Sequence, residues 1–363
     1  MEAASADQIG ALLARLADGL ATGVLHAVPT TALIVTRMRN SSVGLDDMHR
    51  LSSAFLDDRR QSMKGVLGPH AYEVPDVGFD FFPIFESCAS TFIDRDRTTI
   101  FLSLGLMEAL RLVIASAQLE SAIRLIEKDQ AITDELGTRG RGKAVEELRL
   151  MIQYFNASAV LHFKVPRRLP AAASLLDATT RHRVDVVLEA VLMFLLLHEL
   201  GHVDYRRQSK VPDQPPHLVW EFAVPEDVGE AKREEFYADA FALRSVPEAF
   251  ALPLVHAATF FLLLHNYVDA TAGVGPTTHP LCVNRIATLY ALARGIAPLD
   301  AVGHDAVAVA LEAGTKVWSL PSEHFSVDAL LRYTEALNTV DWQPAQDALQ
   351  LLAAHVHPDT EAS

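Results

Sequence analysis

The stretch Leu195–Tyr205, LLLHELGHVDY, places two histidines and a glutamate at the end of a strongly apolar segment. His198 and His202 are four residues apart, so on an α-helix they lie on one face, about one turn apart. Two imidazoles so placed can bind one metal ion at about 2.1 Å. Glu199 is rotated by about 100° from His198 and can hold a metal-bound water without being a ligand. The spacing predicts a metal site on a buried helix.

This HExxH arrangement has the mechanics of zinc hydrolases. Zinc lowers the pKa of a bound water towards about 7, and the glutamate takes its proton as general base. The alternative is a chance match, because short motifs recur and the chain contains 15 histidines. The apolar helix before the motif and the space left by Gly201 favour the metal site.

A third zinc ligand is expected from another element, because catalytic zinc takes three protein ligands and keeps one open position. The next helical segment, REEFYADAF, carries Glu235 and Asp239 on one face. Glu235 can bind zinc while Asp239 accepts the second N–H of a ligand histidine. Spacing leaves Glu234 open as the rival ligand, and an ordinary solvated acidic face is the remaining alternative.

Composition restricts the class of protein. The chain has 363 residues, half of them apolar, and a formal charge of −15, which argues against a general nucleic-acid binder. Only two cysteines occur, Cys88 and Cys282, so no disulfide framework is expected. The N-terminus shows no basic region followed by an apolar run. These features predict a cytoplasmic location, and they leave the oligomeric state open.

The periodicity predicts a mostly α fold with a small β-sheet. Thr98–Leu104 is the best candidate strand, and Val77–Phe85 is a weaker extended piece because it contains Pro83. TRGRGK, Thr138–Lys143, is predicted to be a connector between two helices, and Gln208–Gly229 a long loop. We expect an N-terminal helical region over 1–75, a catalytic domain over 76–295 with a helical insert at about 115–180, and a C-terminal helical region over 296–363.

One apolar segment, residues 250–268, is about long enough to cross a membrane. It contains Pro253, His256 and His265, and polar groups are costly inside a bilayer. A core helix is therefore the preferred interpretation, with membrane contact through this segment as the minor alternative.

Four blocks in this order resemble the gluzincin peptidases grouped with the CaaX prenyl endopeptidase and the HtpX heat-shock peptidase. The blocks are IFLSLGLMEAL (Ile100–Leu110), HELGH, EFYADAFA (Glu235–Ala242) and THPLCVNRI (Thr278–Ile286). The resemblance implies a zincin-like fold and a zinc endopeptidase acting on proteins or peptides. Many relatives have membrane spans and a longer gap between the second histidine and the glutamate, which puts substrate and location in doubt.

The resemblance also implies a role for each matching residue. His198, His202 and Glu235 would bind zinc, and Glu199 would be the general base. Asp239 would support a ligand histidine from behind. His279 would face the substrate carbonyl and act in catalysis, and Arg285 would brace the site.

Several alternatives stay open. The ImmA/IrrE-type regulatory peptidases share HELGH and a later E-x-x-A-x-x-F-A helix but lack the T-H-P…R-I block, and the Lit-type phage-exclusion peptidases are a weaker resemblance. A zinc-stabilised binding or scaffold protein without catalysis would need a fourth protein ligand. A hydrolase of non-peptide substrates and a latent peptidase gated by the Gln208–Gly229 loop are further hypotheses.

Overall fold

A computed structural model of the protein describes residues 77–82, 89–94, 97–164, 175–208, 229–272, 280, 282–294, 327–337 and 339–356. Most of these residues are helical, and a small sheet precedes the helices, which confirms the predicted mostly α fold. The predicted domain boundaries near residues 75 and 295 lie outside the described ranges and stay predictions.

The sheet has three strands: β1 Val77–Phe82, β2 Ala89–Asp94 and β3 Arg97–Ser103. β3 lies in the centre, parallel to β1 and antiparallel to β2. The strand predicted over Thr98–Leu104 is confirmed as β3, and the extended piece predicted over Val77–Phe85 is confirmed over Val77–Phe82, while its last three residues lie outside the described residues. β2 was not predicted, because its sequence, ASTFID, lacks a clear alternation of apolar and polar residues.

The central strand runs directly into the first helix. Ser103 has an extended backbone, and its Oγ accepts a hydrogen bond of 3.0 Å from the backbone N–H of Leu106, so it caps the helix. The helices are α1 Leu104–Lys128, α2 Gln130–Lys164, α3 Ala178–Gln208, α4 Glu230–Arg244, α5 Glu248–Ala272, α6 Cys282–Ala293, α7 Val327–Leu337 and α8 Gln343–Val356.

α3 is the central element of the helical core. It packs against α1, α4, α5 and the sheet, and its apolar run from Phe194 to Leu197 is fully buried. This run carries the helix through the core and brings its C-terminal end, with the HELGH segment, against α4. The burial of the apolar stretch therefore determines where the polar residues that follow it can lie.

By length and composition alone, Ala178–Gln208 and Glu248–His265 could each cross a membrane. Most of the first stretch is buried inside the protein, as expected of a core helix. The second is less buried and leaves Phe250 exposed. Membrane contact through residues 250–268 stays a prediction.

The prediction of a connector at Thr138–Lys143 was wrong, because these residues are helical and belong to α2. The break from helical geometry lies one residue earlier, at Gly137, where φ is 68° and ψ is 157°. A positive φ suits glycine, which has no Cβ to clash with the backbone. Gly140 and Gly142 look like loop residues in the sequence, but they lie on an exposed helix surface with open space around them.

Candidate metal centre

The centre lies where the C-terminal end of α3 crosses α4. His198, Glu199 and His202 offer ligand atoms that all lie within 4.8 Å of one another. Gly201 makes the crossing close, since a Cβ at this position would lie 2.6 Å from Ala238 Cα. Any larger residue would push the two helices apart. The glycine of HELGH therefore determines how near the two histidines come to α4.

The two histidines face each other through the same ring atom. His198 Nε2 and His202 Nε2 are 3.1 Å apart, and the two rings are almost perpendicular. Glu235, from α4, lies beside both, with Oε2 at 3.5 Å from His198 Nε2 and Oε1 at 3.7 Å from His202 Nε2. Ligands at 2.0–2.1 Å in a tetrahedral zinc site are about 3.4 Å apart. The spacings of the three donors fit such a site.

Each of the two histidines also has a carboxylate at its other ring nitrogen. Asp239 Oδ1 lies 3.0 Å from His198 Nδ1, although the ring N–H is not aligned for a hydrogen bond. Glu234 Oε1 lies 3.0 Å from His202 Nδ1 and accepts a hydrogen bond of 2.8 Å from Arg206 Nε. Both Nε2 atoms are thereby left facing Glu235, as metal ligation requires.

Arg285, from α6, supports the carboxylates of α4. Its Nε and Nη2 donate hydrogen bonds of 2.8 and 2.7 Å to the two oxygens of Asp239, a bidentate pair. Its Nη1 lies 3.2 Å from Glu235 Oε2. The guanidinium is almost fully buried, so it makes these contacts out of water. Arg285 thus contacts two carboxylates of α4, and the role that the resemblance implies for it stays a prediction.

The charges within the centre determine its ionisation. Burial alone would lower the pKa of His198, but Asp239 and Glu235 outweigh it and raise the pKa to about 9. Burial would raise the pKa of Glu235, yet Arg285 and the two histidines hold it well below its usual value. The pKa of Asp239 is likewise lowered, chiefly by Arg285, against the effect of burial. The carboxylates are therefore ionised at neutral pH, as metal ligands must be, whereas His198 is protonated there and must lose its proton to bind a metal.

Glu199 lies beside the two histidines and also contacts the sheet. Its Oε2 accepts a hydrogen bond of 2.7 Å from Thr91 Oγ1, in β2. Thr91 lies in β2, the strand that was not predicted from the sequence, so its contact with Glu199 was not predicted either. The contact connects residues 108 positions apart in the chain, and no local pattern could have revealed it.

Two further residues of the centre were missed or assigned differently. Glu234 was the rival ligand, and the structure places it at the outer nitrogen of His202 instead. Arg206 lies four residues after His202, so the helical spacing could have indicated that the two share a face. His279, the predicted catalytic residue of the T-H-P segment, lies outside the described residues, and its role stays a prediction.

With this geometry in view, comparisons with known proteins identify the family. The model of the peptidase U49 family matches residues 112–296, just over half of the chain. The chain belongs to the peptidase U49 family. The matched region contains His198, His202, Glu235 and Arg285, whereas the sheet and Thr91 precede it. Searches among curated proteins and among solved structures found no significant match.

The family match identifies the general class of the protein. It shows a peptidase family, and it agrees with a protein or peptide substrate. It does not single out the CaaX prenyl endopeptidase, HtpX or ImmA/IrrE peptidases, so those resemblances stay predictions. The His-Glu-x-x-His group of the structure is compatible with a metallopeptidase.

Proposed function

We propose that this peptidase-family protein is a zinc-dependent endopeptidase whose metal is held by His198, His202 and Glu235. The observation that carries the proposal is the convergence of two Nε2 atoms, 3.1 Å apart, and the Glu235 carboxylate, whose oxygens lie 3.5 and 3.7 Å from them, from two crossing helices. Two imidazoles and one carboxylate are a ligand set of catalytic zinc sites, which keep a fourth position open.

The same geometry favours catalysis over a scaffold role. A structural zinc site is closed by four protein ligands. Asp239 and Glu234 lie at the Nδ1 atoms of the two histidines, so Glu199 is the described acid that could add a fourth ligand, and Thr91 holds one of its oxygens on the side of the sheet. A glutamate next to the ligands, but tied to a neighbouring strand, supports the role of a base over that of a fourth ligand.

Bound zinc would supply Lewis acidity, which polarises a peptide carbonyl and lowers the pKa of water towards about 7. Glu199 accepts the proton of the attacking water and returns it to the leaving amine. Thr91 holds the Glu199 carboxylate at one orientation during this transfer. Asp239 and Arg285 keep His198 and Glu235 in place. The predicted contribution of His279 is a hydrogen bond to the substrate carbonyl oxygen.

The first experiment measures metal content and cleavage together. We expect about one zinc per purified chain. Glu199→Gln should keep the zinc and the fold but lower cleavage by about 100-fold or more, because only the proton acceptor is lost. Glu146→Gln is the matched control, since Glu146 is exposed on α2, a helix that contributes no residue to the centre described above.

The readout must not assume a substrate. Newly formed peptide N-termini are identified by mass spectrometry in cells that express wild type, Glu199→Gln or Glu146→Gln. Termini present with wild type and Glu146→Gln but absent with Glu199→Gln support the proposal. A protein purified without chelators that holds no zinc, or equal cleavage by Glu199→Gln, overturns it. Zinc without any Glu199-dependent cleavage would favour the scaffold alternative.

A further inference from the structure

The two histidines of the centre are supported in different ways on their outer side. Asp239 serves His198 and is paired with Arg285, and both of these side chains are at most 4% exposed. Glu234 serves His202 and is paired with Arg206, and these side chains are 19% and 38% exposed. Each histidine therefore has a carboxylate backed by an arginine, one pair inside the core and one at its edge.

A single oxygen of Glu234 contacts both His202 and Arg206. Glu234 Oε1 lies 3.0 Å from His202 Nδ1 and 2.8 Å from Arg206 Nε. Arg206 follows His202 by one helical turn, so both approach Glu234 from the same face of α3. The side chain of Glu234 thus cannot turn towards the metal side without breaking both contacts.

The contact at Nδ1 determines which tautomer the neutral ring of His202 adopts. A neutral imidazole carries its proton on one ring nitrogen, and a carboxylate beside Nδ1 favours the proton there. The lone pair of Nε2 is then directed at His198 and Glu235. Such partners behind a ligand fix both the ring and its tautomer.

We propose that Glu234, held by Arg206, is a positioning residue for His202 and is withheld from the metal by that arginine. The inference rests on the proposed function and adds to it the reason why Glu235, not Glu234, is the ligand. The neighbouring glutamates point about 100° apart on α4. Arg285 contacts Glu235 at the metal side, and Arg206 contacts Glu234 at the outer side.

Zinc affinity measured by competition with a chelator tests the proposal on the full chain. Glu234→Ala should weaken zinc binding by about 10- to 100-fold. Glu234→Gln should retain most of the affinity, because its amide oxygen can accept the same two hydrogen bonds. Glu230→Ala, one turn earlier on α4 and exposed, is the matched control and should bind zinc as wild type does.

A double-mutant comparison tests the part assigned to Arg206. Arg206→Met should weaken zinc binding in the wild-type background and have no further effect in Glu234→Ala, because it acts only through that carboxylate. Equal effects of Arg206→Met in both backgrounds would overturn this part. Circular dichroism and thermal melting show that each variant keeps the fold.

A spectroscopic readout on the metal-free protein separates positioning from general stability. Nitrogen-15 spectra of histidine-labelled protein should show His202 protonated at Nδ1 in wild type and in Glu234→Gln. In Glu234→Ala the tautomers should mix. Unchanged spectra and unchanged zinc affinity in folded Glu234→Ala would overturn the inference. If the wild-type protein binds no zinc, the proposed function is refuted. The tautomer of His202 would still show whether Glu234 positions its ring.

Discussion

Two buried histidines behave in opposite ways in different regions of the protein. His198, at the crossing of α3 and α4, and His162, near the end of α2, are each 5% exposed. The pKa of His198 is raised to about 9 despite its burial, because Asp239 and Glu235 lie beside it. Burial lowers the pKa of His162 to about 4, and within the described residues its Nδ1 has no hydrogen-bond partner.

The difference shows that burial does not decide the charge of a histidine in this protein. Burial disfavours the imidazolium form in both regions. α4 brings Asp239 and Glu235 against His198, and Arg285 keeps those carboxylates ionised inside the core. The α3–α4 crossing therefore favours the imidazolium form of His198, whereas the environment of His162 suits a neutral packed ring.

The largest effect is expected from Asp239→Ala. The change leaves Arg285 buried without its bidentate partner and removes the carboxylate behind His198. Removing one partner of a buried ion pair lowers the free energy of unfolding by about 3–5 kcal/mol. Urea denaturation should show this loss, and zinc affinity should fall with it. Asp347→Ala, on the exposed face of α8, is the control. An equal loss of stability there would mean that the loss in Asp239→Ala does not come from the buried ion pair.

His162→Leu tests the other side of the comparison. The folded protein holds His162 neutral down to about pH 4, whereas the unfolded chain binds the proton near pH 6.5. Between these pH values the unfolded state thus binds more protons than the folded state. The stability that depends on a neutral His162 is therefore fully present above pH 6.5 and is lost as the pH falls to 4. The loss amounts to about 3 kcal/mol.

Denaturant unfolding from pH 7 to pH 4 checks this difference. The free energy of unfolding should fall more steeply in wild type than in His162→Leu, which has no imidazole to protonate. The difference between the two curves isolates His162 from the carboxylates that titrate in the same range. Parallel curves would mean that His162 binds its proton at the same pH in the folded and the unfolded protein, and the contrast with His198 would be lost.

A smaller effect on stability is expected from Gly201→Ala, which tests the close crossing itself. The added Cβ would lie 2.6 Å from Ala238 Cα, so α3 and α4 must separate. Overpacking of this kind costs about 1–3 kcal/mol. Zinc affinity should fall too, because His198 and His202 move away from α4.

The control is Gly142→Ala, on the exposed surface of α2, where an added Cβ meets nothing within 4 Å. This substitution should stabilise the protein by about 0.5–1 kcal/mol, because alanine favours the helix. Thermal melting compares the two variants. A Gly201→Ala protein as stable as wild type would show that the crossing is looser than described.

Much of the fold and part of the centre could be predicted locally. The apolar run before HELGH and the spacing of His198 and His202 follow from helical periodicity, as do most helices. The connector predicted at Thr138–Lys143 failed, because glycines on an exposed helix surface look the same in sequence as loop glycines. β2 was missed because a short strand that depends on its neighbour has little pattern of its own.

The sequence by itself determined that two imidazoles share one helix face, and that two carboxylates share a face of a later helix, because a helix repeats every 3.6 residues. Only the tertiary structure decided which glutamate lies at the Nε2 atoms of the histidines and which at Nδ1 of His202, since Glu234 and Glu235 differ by one step of rotation. It also decided that Thr91 meets Glu199. Such contacts depend on how helices and strands pack, and packing joins residues whose distance along the chain carries no information about their distance in space.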